Sequence, residues 1–235
     1  IDSESARSIT YRLITKGASE STLQLPETAM QRIVETGDGA ITVKLTRRSA
    51  RPAGDLKKTI SASADPASVS PSSAPASGKT PSEKTTNGKP TTDLSEYMEA
   101  SADVNFKDPV VAALAREAAG DEKDPWKVTQ KLCDFVHGYV RMKNLSVGFA
   151  SASEVARSKE GDCTEHGILL AALGRAMGIP TRIVTGVVYT DEFGGKRDVF
   201  VGHLWTQFWL DGEWVDVDAA FGQTDVDPTH IALGV

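Results

Sequence analysis

From Gly167 to Gly174 the chain reads Gly-Ile-Leu-Leu-Ala-Ala-Leu-Gly, a run without a charged or polar side chain. The surrounding stretch, Cys163 to Met177, favours a helix, and a helix that is apolar around its circumference has to be covered on all sides. This constrains the fold more than any other segment, because its neighbours in sequence must supply the cover. The ends are marked too. Gly178 suits the left-handed position that closes a helix, and Pro180 cannot continue one. At the other end Asp162, with Glu165 three residues on, matches a capping box.

These limits put Cys163 at the first helical position, where unpaired backbone N–H groups carry partial positive charge and favour a thiolate. Cys163 is therefore a candidate nucleophile, with Asp162 and Glu165 in supporting roles as caps rather than as reacting acids. Gly161, just before them, would leave room for a substrate backbone. His166 reads as a helix-surface or core histidine. A lone cysteine in a capped helix is as easily an inert buried thiol, so the case for a nucleophile depends on the chain downstream of the helix.

There, Val199–Leu210 and Glu213–Asp218 favour strand, and Asp211-Gly212 between them is a tight-hairpin signal. With a two-residue loop, Leu210 faces Glu213, Trp205 faces Asp218 and His203 faces Ala220. Side chains alternate across a strand, so His203, Trp205, Gln207 and Trp209 share a face with Trp214, Asp216 and Asp218. Leu204, Thr206, Phe208, Leu210, Val215 and Val217 form the opposite, core-facing side. His203 and Asp218 become diagonal neighbours, about 7–8 Å apart at the backbone and within side-chain reach; Asp216 is one pair further away. A cysteine, an imidazole that takes and returns its proton, and a carboxylate that fixes the imidazole form the set needed for thiol attack on an amide.

The strings GDCTEHGILLAALGRAMGIPTRIVTGVVY, GHLW and GEWVDVDAAFGQ, in that order, resemble the transglutaminase-like (transglutaminase core) superfamily of papain-like cysteine enzymes. The resemblance is strongest over 151–223 and extends over 93–235. It implies Cys163 as nucleophile, His203 as base and Asp218 as orienting acid. It also implies that the Cys163 N–H helps to form an oxyanion hole, with a second donor among Trp126, Tyr139 and Asn144. Trp205, on the His203 face, would shield the reacting hydrogen bond or simply pack. Where the family often has proline-threonine after the acid, this chain has Ala219-Ala220.

The rest of the chain falls into blocks. Residues 1–49 read as antiparallel β structure over Ser8–Lys16, Gln31–Glu35 and Ile41–Arg47, the end of a larger N-terminal β domain. Residues 50–92 read as a disordered Pro/Ser/Ala/Thr-rich linker; 51–92 holds six of the eleven prolines and no aromatic residue, too little apolar surface to offset ordering entropy. The resemblance implies that residues 93–235 form a transglutaminase-like catalytic domain. Within it Pro109–Ala119 and Pro125–Met142 read as helices capped by Asp108 and Asp124, and Ser151–Arg157 as a short helix. Thr181–Thr190 reads as a strand, Asp191–Asp198 as a polar loop and Thr224–Val235 as a tail. The expected fold class is α+β, helices packed on an antiparallel sheet. Ile1 in first place and the ending at Val235 suggest an excised segment.

A net charge of −6 argues against nucleic acid as a partner, and no apolar run is long enough for a transmembrane helix. The four histidines and two cysteines show no metal-binding spacing, so no metal or cofactor is expected. Cys133 and Cys163 are expected to be free, since a disulfide would disable the nucleophile, and Cys133 reads as core. The expected function is amide cleavage through an acyl-enzyme thioester on a protein or peptide substrate, as a cysteine protease or amidase. The alternative is a protein-glutamine gamma-glutamyltransferase, and a non-catalytic interaction module is the third reading. The linker and the β segment fit an exported or envelope-associated setting; oligomeric state is not legible.

Overall fold

The structure is a computed structural model that describes residues 5–14, 24–37, 39–48, 83–86, 89–141 and 149–235. Residues 51–82, most of the expected linker, lie outside the described residues, as do Met142 and Asn144. At the end of that stretch Glu83–Thr86 (β4) and Lys89–Thr92 (β5) pair antiparallel, so chain assigned to linker forms a small ribbon.

The N-terminal strands Ser8–Ile14 (β1), Gln31–Gly37 (β2) and Ala40–Thr46 (β3) form an antiparallel sheet of order β1-β3-β2. After one 3-10 turn at Ser95–Met98 come four helices, Pro109–Ala119 (α1), Pro125–Tyr139 (α2), Ala152–Ser158 (α3) and Cys163–Ala176 (α4). The expected caps are in place: Asp108 accepts from the Val110 N–H, and Asp124 from those of Trp126 and Lys127. Each has proline at the first helical position, where its missing N–H costs nothing.

Four strands complete the chain: Thr181–Phe193 (β6), Lys196–Leu210 (β7), Glu213–Val217 (β8) and His230–Gly234 (β9), in the sheet order β8-β7-β6-β9. The fold is α+β, with α4 between the other helices and the sheet. Leu169, Leu170 and Leu173 are fully buried, each contributing about 1.5–3 kcal/mol. Helix and sheet approach closely because two helix positions lack a side chain. A Cβ on Gly167 would lie 2.2 Å from Leu204 Cδ2, and one on Gly174 2.5 Å from Thr181 Cγ2.

Two sequence expectations change. Asp191–Asp198 is not a loop: β6 and β7 continue through it to a turn at Gly194-Gly195, both at positive φ. This arm is exposed on both faces, so it needs no apolar alternation and its polar residues mimic a loop. The C-terminal stretch is not a tail either, since β9 pairs with β6 and buries Ile231 and Ala232. The sheet is also covered on both faces. Trp205, Gln207, Trp214 and Asp216, on the face opposite the helices, are all buried.

That second cover includes the N-terminal sheet. Leu25, Ile41, Val43 and Leu45 pack with Ile231 and Val187. Tyr11 Oη donates to the Pro228 carbonyl at 3.1 Å, and Gln31 is hydrogen-bonded to both backbone groups of Ala232.

Candidate active site

Cys163 opens α4 as its first residue, half-buried and free. Both arms of the capping box are made: Asp162 Oδ1 accepts from the Thr164 N–H at 2.9 Å, and Glu165 Oε2 from the Asp162 N–H at 2.9 Å. Glu165 is almost wholly buried and also accepts from the Ala150 N–H; burial raises its pKa above the ordinary carboxylate range, against the pull of the Asp162 N–H. Gly161 is needed for this packing, because a Cβ there would sit 2.2 Å from Glu165 Cβ. His166 is a core residue, its Nδ1 against the Asp162 carbonyl.

The hairpin has the expected register, Leu210 opposite Glu213 and Thr206 opposite Val217, around a turn with positive φ at Asp211 and Gly212. The ladder then stops. Asp218 does not face Trp205 as a ladder pair; its backbone pairs with Gln223 in both directions, at 2.8 and 2.7 Å. This turn lets Asp218 Oδ1 accept from the N–H groups of Ala220, 2.7 Å, and Phe221, 3.2 Å. The other oxygen, Oδ2, lies 2.7 Å from His203 Nε2.

Cys163 lies near enough to His203 to help raise its pKa, and with Nε2 engaged by Asp218, Nδ1 is the nitrogen left to face the thiol. The structure thus brings Cys163, His203 and Asp218 into one chain of contacts. Burial works against a charged imidazole here, but Asp218 and Cys163 outweigh it and raise His203 to about 9. Burial likewise opposes ionisation of Asp218, and its two histidine partners hold it well below the ordinary carboxylate range.

Two aromatic rings hold the imidazole. Phe221 stacks on it with centroids 4.8 Å apart and planes at 19°, and Trp205 with centroids 6.1 Å apart at 22°. Trp205 is fixed from behind by its Nε1–H donating to Asp216 Oδ1 at 2.7 Å, an oxygen that Gln207 Nε2 also reaches at 2.7 Å. Burial raises the Asp216 pKa, although the Trp205 and Gln207 donors act the other way. Phe221 is 46% exposed, so it presents an apolar surface to solvent beside a buried imidazole.

Sequence reasoning missed His230, Asp227 and Phe221. His230 Nε2 is 3.0 Å from the same Asp218 Oδ2, and its Nδ1 is 3.4 Å from Asp227 Oδ1. Taking 224–235 for a tail hid His230 and Asp227. The signal available was the apolar, β-branched run after Pro228, which marks a strand. Histidine nitrogens and Asp218 oxygens lie within 4.8 Å of one another here, but as hydrogen bonds converging on one carboxylate oxygen, which a cation would have to displace. Of the suggested second oxyanion donors, the Tyr139 hydroxyl already donates to the Ala156 carbonyl at 2.6 Å and Trp126 packs against the helical core.

The span from α1 to just past Asp218, residues 112–219, matches the family model described as the transglutaminase-like superfamily. Residues 112–219 belong to the transglutaminase-like superfamily. Around this transglutaminase-like core the whole chain is similar in fold to a provisionally assigned cysteine protease from Cytophaga hutchinsonii. The TM-score is 0.55 at 15% identity, over 97% of this chain and 78% of that one, a likeness of fold alone. The periplasmic domain of TgpA from Pseudomonas aeruginosa is similar over 55% of this chain and 49% of that one, at 20% identity and a TM-score of 0.42. No curated protein matches the chain.

Proposed function

We propose that this chain is a cysteine-nucleophile enzyme that hydrolyses amide bonds in a protein or peptide through an acyl-enzyme thioester. The observation that carries the reading is the placement of His203 between Cys163, at the positive end of α4, and the Asp218 carboxylate at 2.7 Å. An imidazole held at about 9 is protonated at neutral pH and has a proton to give to a leaving group.

The chemistry then has two halves. The Cys163 sulfur adds to the carbonyl carbon, and the oxyanion is met by the Cys163 N–H, one of the unpaired donors of the first turn. The C–N bond breaks as His203 Nδ1 gives its proton to the departing amine, leaving a thioester. A water then attacks the thioester, His203 takes its proton, the C–S bond breaks and the thiolate returns with the carboxylic acid released. Asp218 holds the ring in the tautomer that keeps Nδ1 toward sulfur. Exposed Phe221 supplies an apolar contact for the substrate beside the reacting atoms.

Fluorescein-labelled casein tests this directly. The reading predicts release of new carboxyl termini, lost in Cys163→Ala and in His203→Ala. Cys163-dependent incorporation of a fluorescent primary amine without hydrolysis would assign the thioester to transamidation instead. Hydrolysis unchanged in Cys163→Ala would overturn the reading and leave a binding module. Among the described residues no helix is long and apolar enough to cross a membrane. The Pro/Ser/Ala/Thr-rich composition of 51–92 supports an exported or envelope-associated setting, which a fractionation of cells producing the protein would check.

A further inference from the structure

The far side of Asp218 carries a second histidine that thiol chemistry does not require. His230 begins β9, is 3% exposed, and reaches Asp218 Oδ2 with Nε2 at 3.0 Å, beside the 2.7 Å contact from His203. The two imidazole rings are 5.5 Å apart and meet edge to face. Behind His230, Nδ1 lies 3.4 Å from Asp227 Oδ1 and 3.3 Å from the Asp227 carbonyl.

We propose that His230 is a positioning residue for the reaction proposed above: by occupying Asp218 Oδ2 from behind, it fixes the carboxylate that orients His203. The inference rests on the reading of Cys163, His203 and Asp218 as nucleophile, base and orienting acid.

Asp218 is saturated with partners. A carboxylate offers about four acceptor sites. Two are filled on Oδ1 by the N–H groups of Ala220 and Phe221, and two on Oδ2 by His203 and His230. With all four used, rotation about the Cβ–Cγ bond breaks several hydrogen bonds at once. Without His230, Oδ2 has one partner and room to follow the imidazole as it moves. Asp227 extends the same logic by one step, holding His230 at Nδ1 so that Nε2 points at Asp218.

The arrangement also sets charge. The groups facing His230 are Asp218 from the turn after β8, Asp227 from the segment before β9, and His203 on β7, with the buried Asp216 of β8 within electrostatic reach. Burial would lower the His230 pKa, but its hydrogen bonds to Asp218 and Asp227 outweigh that and raise it. A charged His230 draws on the carboxylate that holds His203, which makes the His203 proton easier to give to a leaving amine.

The test compares His230→Gln, which keeps an N–H donor but no charge, with His230→Leu, which keeps neither. It reads the His203 titration by 13C NMR of the imidazole Cε1, assigned by the signal missing in His203→Gln, and the alkylation rate of Cys163 by iodoacetamide at pH 7. Removing the charge should move the His203 midpoint upward in His230→Gln, with alkylation within about twofold of wild type. In His230→Leu alkylation should slow by about 10-fold or more, the scale seen when an outer partner of a positioned ligand is removed. A native-like His230→Leu that alkylates at the wild-type rate would overturn the proposal, as would an unmoved His203 midpoint in His230→Gln. If His230→Leu does not fold, the His203 midpoint in His230→Gln decides. Failure of the underlying reading is distinguishable, because alkylation would then be unchanged in His203→Ala as well.

Discussion

The side-chain amide of Gln31 pairs with both backbone groups of Ala232, Nε2 to the carbonyl and Oε1 to the N–H, each at 2.9 Å. It does for β9, the last strand of its sheet, what another strand would do for an open edge. Ala232 is two residues beyond His230, and Tyr11 grips Pro228 two residues before it. The N-terminal sheet is therefore fastened to the strand that backs the candidate orienting acid.

Replacing Gln31 with Leu should destabilise the protein by about 2–4 kcal/mol, since two buried backbone groups lose their partners. Urea unfolding of the variant and the parent checks this. A difference below about 0.5 kcal/mol, the scale of an ordinary surface change, would mean that the clamp contributes nothing.

Stability should fall as pH rises through the range in which His203 loses its proton. His203 sits at about 9 in the folded protein, against ~6.5 for a free imidazole. A raised value adds stability that is complete below the unfolded value and is lost as pH climbs through the folded one. The loss between about pH 6.5 and 9 should be on the order of 3 kcal/mol, at 1.36 kcal/mol per unit. Asp218 and Asp227 are depressed, so their contributions run the other way, present above about pH 4 and lost in acid. Urea midpoints from pH 3 to 10 should therefore peak near pH 5–6.5, and His203→Gln should lessen the fall on the alkaline side, leaving the part due to the raised His230. A flat alkaline side in the parent protein would contradict the charged pair.

Alanine at Gly174 should destabilise, although it is a better helix former than glycine by about 0.8–1.0 kcal/mol. Its Cβ would fall 2.5 Å from Thr181 Cγ2 and 2.6 Å from Phe208 Cε1, both in the helix–sheet interface. Overpacking of a tight core costs about 1–3 kcal/mol and outweighs the propensity gain. A thermal melt gives the answer, and a raised Tm would show that the interface has slack.

Most of the stretch from α4 to β8 was legible because its signals are local. The Asp162–Glu165 box and Gly178-Ile179-Pro180 bound α4, and Asp211-Gly212 sets the register that puts His203 and Asp218 on one side. Contacts that depend on distant chain were not legible. His230 reaches Asp218 only because β9 returns to the outer edge of β6, a pairing no turn signal announces. Gln31 meets Ala232 across almost the whole chain. Gln207, Asp216 and Trp205 are buried although nothing in the hairpin itself announces what covers that face. Asp218 leaving the ladder for Gln223 depended on a turn that Ala219-Ala220 does not encode in isolation.

The central claim, that His203 activates Cys163 under the hold of Asp218, is tested most directly by iodoacetamide alkylation at pH 7, read for each cysteine by mass spectrometry. Cys133 is the internal control, because it is fully buried and burial pushes its thiol up to about 12. The account predicts fast labelling of Cys163 and little of Cys133 in the parent protein. It also predicts slowing at Cys163 by about tenfold or more in His203→Ala and a smaller slowing in Asp218→Ala. Equal rates at Cys163 in all three proteins would contradict it.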